Sequence, residues 1–202
     1  MAATEPEARP VKLEYRIIAG LVKEGANVLD LGCGTGDLLA LLSRERQAKG
    51  QGIEIDEQAI YQCVAKGLSV FHGDIDSGLS EYADRTFDYV ILNQSLQQVK
   101  APEFVLQEAL RVGMNVIVGF PNFAHYSARF QVFFKGRMPV TAALPFQWYN
   151  TPNIRLLTVR DFVAYCEMKG ITIHASAFIA NEKPVRFLPN LLAEVAIFLI
   201  AK

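Results

Sequence analysis

The run VLDLGCGTGDLL, Val28–Leu39, decides most of what this chain can become. Strand-forming residues lead straight into three glycines at alternate positions, Gly32, Gly34 and Gly36, and then into leucines at helical spacing. Glycine reaches positive φ without steric cost and lets a ligand lie against bare backbone. In an open parallel sheet, ligands bind in the crevice past the strand carboxyl ends. The dinucleotide fingerprint GxGxxG is not met, because its third glycine falls on Asp37, where a carboxylate would repel a pyrophosphate. The Gly-Lys-Ser/Thr ending of a phosphate-binding loop is also absent. The pattern DxGxGxG, opening on Asp30, therefore suits a ligand without phosphates.

Two further strand ends narrow the ligand. GIEID, Gly52–Asp56, places Glu54 at the end of a second strand, where its two oxygens match the vicinal diol of a ribose. HGDID, His72–Asp76, closes a third strand. There Asp74 is read either as an acceptor for an adenine amine, with Ile55 and Ile75 flanking the ring, or as an Asx-type turn residue. A nucleoside carrying an amino acid and no phosphate meets these demands, and S-adenosylmethionine is such a ligand. Cys33 is read as a small residue in a crowded loop.

The rest of the chain alternates strand-like and helix-like segments. Helices are expected over Leu13–Lys23, Thr35–Arg46, Glu57–Lys66, Ala101–Val112 and Thr158–Lys169. Strands are expected over Asn27–Leu31, Gly50–Asp56, Ser69–His72, Phe87–Asn93, Met114–Phe120, Ile171–Phe178 and Leu192–Ile200. Near-continuous apolar strands between helices imply a parallel sheet covered on both faces, a three-layer α/β/α sandwich. The last two strands have a short link, Ala180–Asn190, which favours an antiparallel pair. The chain is expected to form a single domain over residues 1–202, with a flexible tail over 1–10. Residues 121–157 break the alternation and exceed an ordinary connection, so they are read as a functional insertion, rich in aromatics such as Phe130, Phe133, Phe134, Trp148 and Tyr149.

Composition excludes several classes. With 20 basic and 21 acidic residues the net charge is -1, which argues against a phosphate-tracking nucleic-acid binder. The cysteines, Cys33, Cys63 and Cys166, show no CxxC or CxxH spacing, so neither a disulfide scaffold nor a metal site is expected, and a cytoplasmic setting fits. The apolar stretch Leu191–Ala201 is interrupted by Glu194 and is too short to span a bilayer.

VLDLGCGTG, GIEID, GDID and FDYVILNQSLQQV resemble successive motifs of the class I S-adenosylmethionine-dependent methyltransferases. That resemblance covers Val28–Val118 and implies a Rossmann-like, seven-stranded, mostly parallel sheet in the order 3-2-1-4-5-7-6, with the last strand antiparallel. Over nearly the whole chain, NQSLQQV, EALRVGMNVIVGFPNFAHY, GRMPVTAALPFQWYNTPNI and TVRDFVAYC are similar to the MetW family of methionine-biosynthesis proteins. The resemblance implies a role beside the homoserine O-acyltransferase MetX. It also implies that S-adenosylmethionine or S-adenosylhomocysteine is held by Asp30, Gly32, Cys33, Gly34 and Gly36, with Glu54 on the ribose. Gly73, Asp74 and Ile75 would then lie by the adenine, and Asn93 and Gln94 by the methionine portion.

Methyl transfer from a sulfonium needs mainly positioning, so no catalytic base is required by the chemistry or assigned. The Asp/Asn-Pro-Pro-Tyr/Phe motif of nucleic-acid amino-methylation is replaced by Asn93-Gln94-Ser95-Leu96. Asn93 and His125 are candidates for touching a small acceptor. Two readings follow. The chain is a partner or activator of the acyltransferase with the insertion as its docking surface, or it is a small-molecule methyltransferase with the insertion as a lid.

Overall fold

The computed structural model describes residues 11–202. The tail expected over residues 1–10 lies outside them. Helix α1, Leu13–Leu21, precedes strand β1, Asn27–Leu31; then follow α2, Asp37–Arg46, β2, Lys49–Glu54, α3, Glu57–Ala65, and β3, Ser69–His72. A 3-10 turn at Ile75–Ser77 leads to β4, Phe87–Asn93, a second one at Leu96–Gln98 to α4, Pro102–Val112, and then comes β5, Gly113–Pro121. The remainder is α5, Tyr126–Lys135, α6, Val159–Lys169, β6, Thr172–Ala180, β7, Lys183–Pro184, α7, Pro189–Leu192, and β8, Val195–Ala201.

The strands form one sheet in the order β3-β2-β1-β4-β5-β8-β6-β7. The pairs from β3 to β5 are parallel, and β8 runs antiparallel between β5 and β6. This is the expected α/β architecture and strand order, with one correction: there are eight strands rather than seven. The extra strand is the two-residue β7, which turns back onto the end of β6 through Asn181 and Glu182, both at positive φ. So short a return carries no periodicity that a sequence reading can detect. The last strand also starts at Val195 instead of Leu192, because Pro189 opens the short α7 at its first position.

Alternation along the central strands builds the layers. On β4, Val90 and Leu92 point to a core shared with Val105, Leu106 and Ala109 of α4 and Phe162 of α6. Tyr89 and Ile91 point the other way, to a core with Ile18 of α1 and Leu38, Leu41 and Leu42 of α2. Both faces of the sheet are thus buried, and each fully buried large side chain contributes about 1.5–3 kcal/mol. Phe120, Phe162 and Phe198 pack ring on ring in the first core, with centroids 4.9–5.9 Å apart.

Asn122, just past β5, ties this sheet to the segments around it. Its Nδ2 donates to the carbonyls of Ala193 at 2.8 Å and Asn190 at 3.2 Å, and its Oδ1 accepts from Ala124 N at 3.1 Å and Val159 N at 3.4 Å. The residue is 2% exposed, so water cannot replace a lost partner. Asn122→Ala is expected to cost about 2–4 kcal/mol, since it strands several buried polar groups at once. Urea denaturation measures this, and an unchanged midpoint would contradict it.

The insertion holds an element the sequence reading did not anticipate. Tyr126–Lys135 is helical, with His125 at its N-cap and Gly136 in the left-handed conformation at its end. The run FQVFF is rich in β-prone residues, which masked the helix. Among the described residues no helix is long and apolar enough to cross a membrane.

Candidate functional site

The loop between β1 and α2 uses its glycines for different ends. A Cβ on Gly36 would meet Leu68 Cδ1 at 2.5 Å and Cys63 Sγ at 2.8 Å, so this glycine lets the loop seat on α3 and the segment after it. A Cβ on Gly32 would press on Ser95 at 2.9 Å. A Cβ on Gly34 would meet nothing within 4 Å. Gly34 therefore leaves bare backbone facing open space. The loop is anchored to β2 by Gly32 N and Cys33 N, which donate to the Ile53 carbonyl at 2.8 and 3.2 Å.

Two cavities meet over this loop. One, of about 430 Å³, is lined by Glu54, Ile55, Gly73, Asp74 and Ile75. The other, of about 290 Å³, is lined by Asp30, Cys33 and Asn93 together with Glu14 and Tyr15 of α1. Gly32, Gly34 and Gln94 line both. The fold thus gathers every residue expected to hold the cofactor at one cleft, except Gly36, whose place is in the packing beneath it. The cleft lies past the carboxyl ends of β1, β2 and β4, as an open parallel sheet dictates. A larger cavity of about 560 Å³, beside Arg111 and Lys169, contains none of these residues. Of the charges lining it, Arg111 is engaged by Glu108 and Asp84, and Lys169 by Glu103.

Glu54 is not a free carboxylate. Its Oε2 accepts from Gly34 N at 2.7 Å, and its Oε1 accepts from Ile55 N at 2.8 Å and Asp56 N at 3.0 Å. A carboxylate has about four acceptor sites. With three in use, Glu54 can take one further hydroxyl, or two if the Gly34 N–H is released. Asp74 accepts from Asp76 N at 2.9 Å, an Asx turn, and still lines the cavity, so both readings of this residue hold a share of the geometry.

The cleft is electronegative where β1 ends. Asp30 is 2% exposed, and burial, reinforced by the charge of Glu54, pushes its carboxyl up to about 7. Burial, with Glu14, Asp30 and Asp37 adding to it, pushes the Tyr15 hydroxyl up to about 12. Burial also pushes the Cys33 thiol up, with Asp30 next in weight, so the thiol is no nucleophile. A positive group placed among these side chains would relieve the buried acid.

Asn93 and Gln94 end β4 at the cleft. Gln94 holds φ at +59°, a conformation that side chains rarely adopt and that recurs at ligand sites. Its Nε2 donates to Glu14 Oε1 at 3.0 Å, and its carbonyl accepts from Gln97 and Gln98. Asn93 Oδ1 is buried without a partner among the described residues, and a Cβ on Gly119 would overlap it. His125, the other candidate for an acceptor contact, lines neither cavity; its Nδ1 lies 2.7 Å from Ser127 Oγ and caps α5. The sequence reading missed Lys12, Glu14 and Tyr15, which wall the second cavity. Their polar positions beside the apolar stripe of α1 were the available signal, but nothing local says that this end of the helix reaches the cleft.

The comparisons with known proteins match this architecture. A structure of an S-adenosylmethionine-dependent methyltransferase from Mesorhizobium loti superposes with a TM-score of 0.68 at 14% identity, over 94% of this chain and 98% of that one. The [4+2]-cyclase SpnF superposes with a TM-score of 0.66 at 17% identity, over 94% and 80%. These likenesses show the fold alone, and a cyclase among them shows that the fold does not fix the reaction. A bifunctional methionine biosynthesis protein MetXA/MetW from Rhodopirellula baltica is 32% identical over 95% of this chain. The match spans 33% of that longer protein, so this chain corresponds to about a third of it. Residues 12–200 match the family model of the methionine biosynthesis protein MetW, and with that coverage the chain belongs to the MetW family.

Proposed function

We propose that this protein binds S-adenosylmethionine, or S-adenosylhomocysteine, and acts in methionine biosynthesis as a partner or activator of the homoserine O-acyltransferase MetX. The observation that carries the cofactor reading is the bare backbone of Gly34 at the meeting of two cavities, with the Glu54 carboxylate 2.7 Å from its nitrogen. The donor set fits the group. Glu54 would take a ribose hydroxyl. Ile55 and Ile75 would flank the adenine beside Gly73, with Asp74 accepting from the amine. Asp30, Asn93 and Gln94 would face the positively charged methionine end, beside Gly32 and Cys33. When bound, S-adenosylmethionine supplies a methyl group on a sulfonium. No side chain in the cleft is assigned to act on that methyl.

The partner reading rests on the MetW family and on the Rhodopirellula baltica relative, whose name joins MetXA and MetW. The alternative, methyl transfer to a small acceptor, draws on the second cavity, whose wall includes the Glu14 carboxylate and the Asn93 side chain. Gel filtration of the purified protein with the acyltransferase, with and without S-adenosylmethionine, separates the two. Co-elution with a changed acylation rate supports the partner role. Separate elution, an unchanged rate and S-adenosylhomocysteine formed from a cell extract support the alternative.

Glu54→Ala is expected to weaken S-adenosylmethionine binding by about 1.5–3 kcal/mol, the worth of a charge-assisted hydrogen bond. It also frees three backbone N–H groups of the loop, so a fall in thermal stability should accompany the loss. Calorimetry that finds wild-type affinity would place Glu54 outside the binding site.

A further inference from the structure

The insertion presents an unusual surface. Of α5, Ala128 is the buried residue, while Phe130, Phe133 and Phe134 are 52, 81 and 68% exposed. Phe134 packs on both other rings, with centroids 4.7 and 4.8 Å away, so the three form one exposed cluster. Trp148 and Tyr149, 75 and 70% exposed, form a second pair. Surface of this kind on a folded chain marks an interaction site.

Charge points to the occupant. Residues 121–157 contain no aspartate or glutamate, yet carry Arg129, Lys135, Arg137 and Arg155. Among the described residues none of these four cations forms an ion pair. The rest of the chain is correspondingly acidic, since the whole has a net charge of -1. Arg129 and Arg155 donate to backbone carbonyls of Ala124, Asn190 and Lys100, whereas Lys135 and Arg137 follow Phe134 at the end of α5 and give the cluster a basic edge, which a carboxylate-rimmed apolar groove would complement.

A bilayer is a poorer occupant. Trp148 and Tyr149 stand on a stretch with no helix or strand, and its open backbone groups would lose water in hydrocarbon. The surface is also held in shape before any partner arrives. Gln131 Nε2 donates to the Val140 carbonyl at 3.0 Å and its Oε1 accepts from Val140 N at 3.2 Å, which pins the returning chain to α5. A preformed surface binds with less ordering cost.

We infer that α5 and the segment carrying Trp148 and Tyr149 form a protein-docking surface, whose partner offers an apolar groove rimmed by carboxylates. The inference rests on the partner reading above; it narrows the docking surface to these parts of the insertion and adds the chemistry of the contact.

The test uses the full chain and the homoserine O-acyltransferase from the same genome as the probe. Affinity is measured for wild type, Phe133→Ser and Arg137→Glu, all at exposed positions away from the cleft. Each variant is expected to bind the acyltransferase at least about 10-fold more weakly, as central aromatic and arginine contacts do, with S-adenosylmethionine affinity unchanged. Binding of the wild type should also weaken as salt is raised. If the wild type binds and both variants bind equally well, this docking surface is overturned while the partner reading stands. If the wild type does not bind the acyltransferase, both fall. Self-association, or binding to phosphatidylglycerol vesicles, that is lost in the variants while acyltransferase binding is kept would assign the surface to another occupant and overturn the inference.

Discussion

Gly34→Leu should lower affinity for S-adenosylmethionine by about 100-fold or more, roughly 2.7 kcal/mol, while leaving the protein folded. The added side chain would enter open space in the free protein, since a Cβ there meets nothing within 4 Å. The cost to the fold is the positive φ of 54°, which for a side-chain-bearing residue is about 1–2 kcal/mol. In a chain of this size that is a fall in Tm of several degrees. Gly36→Ala should behave in the opposite way. Its methyl would collide with Leu68 and Cys63 beneath the loop, so stability falls while the cleft itself is untouched. Calorimetric titration and thermal melts on the two variants read the two effects separately. Wild-type affinity in Gly34→Leu would remove the cofactor from this cleft.

Asp30→Asn should raise stability and reduce affinity together. In the free protein the Asp30 carboxyl sits at about 7 instead of 3.8, so the folded state holds the proton more tightly than the unfolded chain. The contribution of Asp30 to stability is therefore greatest below about pH 4, declines as pH rises through 7, and stays at its lower value beyond. The neutral amide carries no such penalty, and at pH 8 its Tm should exceed the wild type's by roughly 5 °C, allowing about 2 kcal/mol for the relieved charge. Binding follows the reverse logic. A cation beside Asp30 draws the carboxyl back down, so binding expels a proton wherever the free protein holds one. Wild-type affinity should be full above pH 7 and weaken by up to about tenfold per pH unit below it. In Asp30→Asn the affinity at pH 8 should drop about tenfold and the pH slope disappear. A slope that survives the substitution would assign the proton to another group.

The sheet was legible because its strands are buried on both faces, and mostly apolar runs such as Phe87–Asn93 have few other uses. Its order came from the family resemblance, and the structure reproduces it. The cleft was legible where chemistry is concentrated at strand ends, which is why Asp30, Gly34, Glu54 and Asp74 come together. Gly36 carries the same local pattern as Gly34, yet faces the packing side; only the position of Cys63 and Leu68, far along the chain, distinguishes them. Glu54 shows the same limit. Its residue type and place suggested a carboxylate open to both ribose hydroxyls, whereas three backbone N–H groups already claim most of it. Glu14 and Tyr15 became visible only once α1 was laid against the cleft. In the insertion, propensity concealed a helix that His125 caps, and the capping role accounts for a histidine considered as an acceptor contact.

The placement of β8 has a consequence for how the molecule is made. Synthesis runs from the amino end, yet Val195–Ala201 lies between β5 and β6, both made earlier. Until those residues leave the ribosome, the edge of β5 stays open and the hydrophobic side chains around Phe120 and Phe162 lack Phe198 as a cover. An unpaired edge with apolar flanks is what aggregation uses. The nascent protein therefore waits on β8, and a chain cut short before Val195 is expected to become a client of chaperones or proteases instead of a smaller working version.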